Sequence, residues 1–206
     1  DLNNTNNLRT KIINDLNFKS LDFITQNGIK NEYNLYFKNL NTVGKNDSLY
    51  KSSPQIELMS IIELNTSLPM INQTESDINY LTPKASIRFN PGDMKDYSSS
   101  DRSINVNGIF DINRLAIDDS FEEGRSLTLG LEYKKTKLND INRFFEAKIA
   151  TVYRDENEKF IPQSSGINGK DANIFGSISN NLSKFINISY DFILDNDFNT
   201  LEYSLL

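Results

Sequence analysis

Residues 126–133 read Ser-Leu-Thr-Leu-Gly-Leu-Glu-Tyr, an unbroken alternation of polar or small residues with apolar or aromatic ones. Successive side chains of a β-strand point to opposite faces of the sheet, so the three leucines and Tyr133 share one face. A helix would also bring together residues three apart, and here every such pair joins a polar or small residue to an apolar or aromatic one. The stretch therefore predicts a strand with one apolar face and one polar face.

The same period of two recurs along the whole chain. Clear examples lie at 55–65, 81–89, 145–154 and 186–194, and weaker ones lie at 12–22, 31–40, 103–112, 171–180 and 198–206. We therefore predict an all-β fold of about ten antiparallel strands, each close to the ~9–11 residues that cross a membrane at a tilt. No linker-like tract divides the chain, so we treat 1–206 as a single region.

Alternation by itself fits two kinds of all-β protein. A soluble sandwich turns its polar face to bulk water, whereas a membrane β-barrel turns its apolar face to lipid and its polar face to an aqueous lumen. Connection lengths favour the barrel, because long polar segments near 41–53, 90–102 and 155–170 are interleaved with tight ones near 25–31 and 181–184.

Aromatic residues also recur near the predicted strand ends, where the aromatic girdles of a barrel lie at the two membrane interfaces. They are Tyr33, Phe37, Tyr80, Phe89, Tyr133, Tyr153, Tyr190 and Tyr203.

Composition removes several classes of function. The 206 residues include no Cys and no His, so the chain cannot build disulfides, thiolate metal sites or a Ser-His-Asp triad. A net charge of −6 and a pI near 4.8 make nucleic acid a poor partner. We expect no catalytic site, no metal site and no cofactor, and an enzyme is the least favoured class.

Two charged sets have a functional and a structural interpretation. The carboxylate cluster at 118–124 offers oxygen ligands for a hard cation, but its spacing fits no EF-hand. We interpret it as solvated or lumen-facing charge that pairs with Arg114 and Arg125.

Five arginines resemble a phosphate-recognition set, yet their spread along an acidic chain favours lumen ion pairs. They are Arg88, Arg102, Arg114, Arg125 and Arg154.

One segment carries a more specific pattern. Residues 113–124 read Asn-Arg-Leu-Ala-Ile-Asp-Asp-Ser-Phe-Glu-Glu-Gly and lead into the strand at 126–133. This resembles a signature of the LptD family of LPS-assembly proteins, in which Asn-Arg-Phe-Ser-Gly-x-Asp-Arg-hydrophobic-Glu leads through Gly into a strand ending in Gly-hydrophobic-x-Tyr. Ile117 and Ser120 stand where that signature has Gly and Arg. The matching residues are Asn113, Arg114, Asp119, Glu122, Gly124 and Gly130.

Flanking pieces resemble the same family in the same order, so the resemblance spans roughly residues 30–206. Before the signature come Ser67-Leu68-Pro69 and the run Tyr80-Leu81-Thr82-Pro83-Lys84. After it come Tyr153-Arg154-Asp155, the segment 162–166 and the segment 171–176.

The resemblance implies an antiparallel transmembrane β-barrel segment in the outer membrane of a Gram-negative bacterium. The segment would be barrel wall and lumen lining of the machinery that inserts lipopolysaccharide into the outer leaflet. Its implied partners are lipopolysaccharide, outer-membrane lipid, an LptE-like plug lipoprotein and an LptA-like periplasmic bridge. The family's N-terminal jellyroll and lateral gate are not evident, so we expect an excerpt of a longer precursor and a larger barrel.

The predicted lipid-facing residues are Leu127, Leu129, Leu131, Tyr133, Ile186, Ile188 and Tyr190. We expect Leu129→Arg to impair assembly and Thr128→Arg, on the predicted lumen face, to be tolerated. Two alternatives stay open: another outer-membrane barrel, such as a porin or an autotransporter translocator, and a soluble all-β binding or adhesion module.

Overall fold

The structure, a computed structural model, describes residues 7–47, 50–170, 173–183 and 185–205. These residues form eleven β-strands and one short 3-10 helix at Gln163–Ser165. The strands are β1 (Leu8–Lys19), β2 (Phe23–Ile24), β3 (Lys30–Lys45), β4 (Gln55–Ser67), β5 (Met70–Gln73), β6 (Asp77–Asn90), β7 (Gly124–Lys137), β8 (Asp140–Arg154), β9 (Ile174–Ser183), β10 (Ile186–Leu194) and β11 (Thr200–Leu205). No helix within the described residues is long and apolar enough to cross a membrane.

All eleven strands belong to one antiparallel sheet in which neighbours in space follow one another along the chain. The short strand β2 continues β1 beside β3, and β5 continues β4 beside β6, so the sheet has nine strand positions. The sheet is open, because β1 and β11 lie at its two edges and do not pair with each other. The prediction of an all-β antiparallel fold is confirmed.

Consecutive antiparallel strands place their connections at alternate ends of the sheet. One end carries only short connections, which follow β2, β5, β7 and β9. The other end carries the connections that follow β3, β6, β8 and β10, and the first three of these are long. The predicted interleaving of long and short connections is therefore present, and we call the second end the long-connection end.

The weak strand predicted at 103–112 is wrong. Residues 91–123 form one connection between β6 and β7, made of turns and irregular backbone, which we call the inner loop. The inner loop buries Ile104 and Val106, while Asn105 between them accepts hydrogen bonds from the main-chain N–H groups of Asn107 and Gly108. Its side chains thus alternate as in a strand, but its backbone groups close a turn instead of pairing with a neighbouring strand.

The two faces of the sheet differ as predicted. On β4, Ile56, Leu58 and Ile62 are exposed, whereas Met59, Ile61 and Glu63 on the other face are buried. The buried side is the one the inner loop covers, so the compact core of the molecule lies against the polar face. We call the opposite side the apolar face.

Apolar side chains of the inner loop form two clusters with that covered face. In the larger cluster, Ile104, Ile109 and Ile117 of the loop pack with side chains of three strands and of the β8–β9 connection. Those partners are Ala150, Val152, Phe175, Ile193, Ile161 and Ile167. In the smaller cluster, Phe121 packs with Leu40, Met59 and Ile61.

Candidate functional site

A buried charge cluster joins the inner loop to the wall of the sheet. At its centre is the carboxylate of Glu122, which lies at the end of the loop just before β7. Three guanidinium groups surround it, from Arg88 on β6, Arg114 on the loop and Arg154 at the end of β8. The side chains of all three arginines and of Glu122 are nearly inaccessible to solvent.

The geometry links loop and strands directly. Arg114 Nε lies 2.7 Å from Glu122 Oε2, and Arg88 places Nη1 3.3 Å from the same oxygen. Arg154 donates through Nη2 to Glu122 Oε1. Arg88 also donates from Nη2 to Glu63 Oε1 on β4 at 2.9 Å, which brings a second anion into the set. We call Glu63, Arg88, Arg114, Glu122 and Arg154 the Glu122 cluster.

The remaining donors of Arg114 and Arg154 are used by the surrounding protein. Arg114 donates to Thr128 Oγ1 at 2.9 Å, to Ser126 Oγ at 3.1 Å and to the carbonyl of Ile109 at 3.2 Å. Arg154 donates to the carbonyls of Glu123 and Ile167. Each guanidinium nitrogen of these two arginines donates at least one hydrogen bond within the protein, so both groups hold backbone and carboxylate in place and offer no free fork for phosphate.

Burial and charge act against each other on Glu122. Burial by itself would raise the pKa of Glu122, but the attraction of Arg114 and Arg154 outweighs it, so the pKa lies far below the ordinary value. Burial lowers the pKa of Arg114 to about 10, although Glu122 opposes that shift. Both groups are therefore charged at neutral pH, and the cluster is held by ion pairs in a place that water does not reach.

Asp119 provides a second anchor for the same loop. Its carboxylate accepts a hydrogen bond of 2.5 Å from the Tyr97 hydroxyl and one of 3.4 Å from the hydroxyl of Tyr50, in the β3–β4 connection. Lys95 Nζ lies 3.4 Å from Asp119 and 3.5 Å from Glu57 on β4. Burial and the bond to Asp119 together raise the pKa of Tyr97, so the tyrosine stays a donor.

The β8–β9 connection is fastened to the inner loop by further hydrogen bonds. The main-chain N–H of Tyr97 donates to the carbonyl of Phe160 at 3.0 Å, and that of Arg102 donates to Ser164 Oγ at 2.9 Å. Together with the apolar contacts, these bonds make the two longest connections one packed layer on the polar face.

Two glycines of the predicted motif are required by geometry. Gly124 begins β7 with φ of +78°, and a Cβ there would lie 1.8 Å from Glu158 Oε1. Gly130 has an ordinary backbone, but a Cβ would lie 2.7 Å from Cζ of Phe110, because the ring of that loop residue rests against the strand. The glycines thus allow the chain to enter β7 and allow the loop to approach it closely.

The structure brings four of the six motif residues to one place and the other two nearby. Arg114, Glu122, Gly124 and Gly130 lie where the inner loop meets β7, and Asp119 forms the second anchor. Asn113 accepts a hydrogen bond of 2.9 Å from the main-chain N–H of Ile117 and so closes a turn of the loop. Ile117 itself is buried in the larger apolar cluster.

The predicted lipid-facing residues all lie on the apolar face, opposite the inner loop. Leu129 and Leu131 are each 40% exposed, and Ile186 and Ile188 are about half exposed. Leu127, Tyr133 and Tyr190 on the same face are partly covered by their neighbours.

The expectation that Thr128→Arg would be tolerated is wrong. Thr128 lies on the predicted face, but it is 2% exposed and accepts a hydrogen bond from Arg114 beneath the inner loop. An arginine there would add a fourth buried cation to a cluster that already holds three arginines and two glutamates. The expectation assumed an open aqueous face, which the loop removes.

The other charged residues singled out from the sequence separate into different environments. The carboxylates of 118–124 do not converge, and no group of three acidic side chains in the described part of the chain could hold a metal ion. Arg125 lies at the surface 3.6 Å from Asp155, and Arg102 donates to the carbonyls of Leu115 and Ala116.

Sequence reasoning missed the roles of Phe110 and Tyr97, whose partners are distant along the chain.

The chain is similar to a known protein family. The family model described as LptD, LPS transport system D, matches residues 7–205. No curated protein matches the chain. The match covers every strand of the sheet, the inner loop and the Glu122 cluster.

Proposed function

Because this chain belongs to the LptD family of LPS transport proteins, we propose that it forms part of the barrel wall from which lipopolysaccharide enters the outer leaflet of the outer membrane. The single observation that carries this proposal is the inverted distribution of polarity. The sheet exposes Leu, Ile and Phe on one face and buries arginine and glutamate on the other. A soluble protein of one sheet would do the reverse, since exposed apolar faces are costly in water.

The proposed orientation follows from the connections. In outer-membrane barrels the short turns lie in the periplasm and the long loops lie outside the cell. The inner loop would therefore enter the lumen from the outer surface, and the Glu122 cluster would lie in the outer half of the wall.

The open sheet supports a larger barrel. Backbone N–H and C=O groups at an exposed sheet edge have no partners in hydrocarbon, so a membrane sheet must be closed. We propose that further strands pair with the free edges of β1 and β11. The whole described chain would then be one region of that barrel.

The uncovered part of the polar face is suited to water and polar partners. At the border of the inner loop, about halfway along the strands, Lys84 and Glu132 form an ion pair of 2.7 Å, and Lys148 and Glu146 form another of 3.0 Å. These charges are partly exposed. We propose that an LptE-like plug lipoprotein occupies this side, while an LptA-like bridge delivers lipopolysaccharide to another part of the full protein.

The function is tested by depleting the full-length protein in its own bacterium. We expect lipopolysaccharide labelled from outside the cell to fall and lipopolysaccharide on the periplasmic side to accumulate. Purified full-length protein in planar bilayers provides the comparison, because the inner loop is also a feature that would narrow a solute channel. Unchanged surface lipopolysaccharide together with solute-specific conductance would replace the proposal by a porin-like function.

A further inference from the structure

The apolar face of the sheet carries a groove on β7, β8 and β9. Its volume is about 590 Å³, and its floor includes Leu129, Leu131, Ile149 and Thr151. Thr151 pairs in register with Leu129 on one side and with Ile174 on the other, and its short side chain leaves a depression between them. Since this face would be turned to hydrocarbon, the depression has the shape and polarity for an acyl chain.

The groove is polar at the long-connection end of the sheet. Lys170, in the β8–β9 connection, and Asn196, in the β10–β11 connection, line it there. Both connections lie at the long-connection end, so they would reach the membrane interface on the outer side. The main-chain N–H of Lys170 donates to Asn157 Oδ1 at 2.8 Å, which fixes the position of that residue.

The charge of Lys170 is available to a ligand of the groove. A second cation at the same rim, Arg125, already pairs with Asp155 at 3.6 Å. In the part of the chain that the structure describes, no ion pair includes Lys170. A cation above an apolar groove matches a lipid whose head group carries a negative charge.

We infer that this groove is a binding site for one membrane lipid with an anionic phosphate head group, its acyl chain on Thr151 and its phosphate at Lys170. The inference rests on the proposed function, because it requires the apolar face to lie in a membrane. The site lies on the outer wall, away from the polar face and from the free edges of the sheet. A lipid bound there would stay with the barrel while the other lipids around the barrel exchange.

The test uses full-length protein with a photoreactive phenylalanine derivative at position 149. The protein is reconstituted in vesicles of equal parts phosphatidylglycerol and phosphatidylcholine with identical acyl chains, and the crosslinked lipids are identified by mass spectrometry. We expect phosphatidylglycerol to exceed phosphatidylcholine about fivefold, the factor that corresponds to about 1 kcal/mol for one lysine near a charged lipid surface.

Two substitutions decide whether the groove selects the lipid. Lys170→Glu should bring the ratio close to one. Lys51→Glu, at an exposed lysine of the same end in the β3–β4 connection, should leave it unchanged. A ratio near one in the parent protein, or a ratio that Lys170→Glu does not change, overturns the lipid site but not the proposed function. Absence of any lipid crosslink at position 149 overturns the proposed function as well.

Discussion

Glu122 supplies the negative charge on which three buried guanidinium groups depend. Replacing it with glutamine keeps the size of the side chain but leaves Arg88, Arg114 and Arg154 without their shared anion. Removing one partner from a buried ion pair costs about 3–5 kcal/mol, so Glu122→Gln should lower the unfolding temperature of the purified full-length protein markedly. Glu132→Gln is the control, because Glu132 also pairs with a cation but is about one-third exposed, and it should cost about 0–1 kcal/mol.

The same residue predicts how stability depends on pH. The pKa of Glu122 is lowered on folding, so its contribution is fully present above the unfolded value, which is about 4.3. The contribution is lost progressively as pH falls below that value towards the lower pKa of the folded state. The difference in unfolding temperature between parent and Glu122→Gln should therefore shrink below about pH 4. A difference that stays constant from pH 7 to pH 3 would contradict the ion-pair account.

Gly130 predicts a coupling between loop and strand. A methyl group at this position would press on the ring of Phe110, and overpacking of this kind costs about 1–3 kcal/mol. The double variant Gly130→Ala with Phe110→Leu should be more stable than the sum of the single changes predicts, because the shorter side chain makes room. Thermal unfolding of the four proteins measures the coupling. Gly92→Ala, where a Cβ meets nothing closer than 3.5 Å, should be additive with Phe110→Leu.

At the scale of elements, periodicity predicts strands and faces because it reports which side chains share an environment. The alternation at 81–89 and 126–133 placed Arg88 and Thr128 correctly on the polar face. It failed at 103–112, because an irregular loop pressed against a sheet also buries every second residue there. An alternation of polar and apolar residues predicts alternating burial, but it does not predict that the backbone groups pair with a neighbouring strand.

The candidate site was predictable only in part for a related reason. Arg114 and Glu122 were found through the motif that contains both. Their partners Glu63, Arg88 and Arg154 lie on three different strands, and only the sheet brings them to the same end. The apolar positions on the polar face, such as Ile61 and Val152, gave a weak signal in the sequence, but what covers them depends on the path of the inner loop.

Docking of the inner loop gives the prediction at this scale. Ile109 is fully buried in the larger apolar cluster, and Ile109→Asp would place a carboxylate there. The loss of its packing alone is about 3 kcal/mol, which corresponds to an increase on the order of a hundredfold in transient release of the loop. Trypsin cleavage after Lys95 or Arg102 in the folded full-length protein should rise accordingly. Ser99→Asp adds the same charge at an exposed position of the same loop and should leave cleavage unchanged.

At the scale of the whole molecule, the two faces of the sheet are covered differently. The inner loop and the β8–β9 connection give the polar face a packed interior, while the apolar face has no protein layer over it within the described residues. Hydrocarbon would complete the structure by removing that face from water. On the proposed function, lipid on one side of the sheet would stabilise the folded state, as the hydrogen bonds between its strands do.

Neighbouring residues in the middle of β9 test this two-sided arrangement. Ile178 lies on the apolar face and is 43% exposed, and an arginine facing lipid near the midplane costs about 2–4 kcal/mol. Ser179 lies on the polar face in register with Glu146 on β8, so an arginine there gains an anionic neighbour. We expect Ile178→Arg to reduce the amount of folded protein in the outer membrane and Ser179→Arg to leave it near the parent level. Gel mobility of unheated outer-membrane fractions measures the folded form, and equal amounts for the two variants would show that the apolar face does not meet lipid.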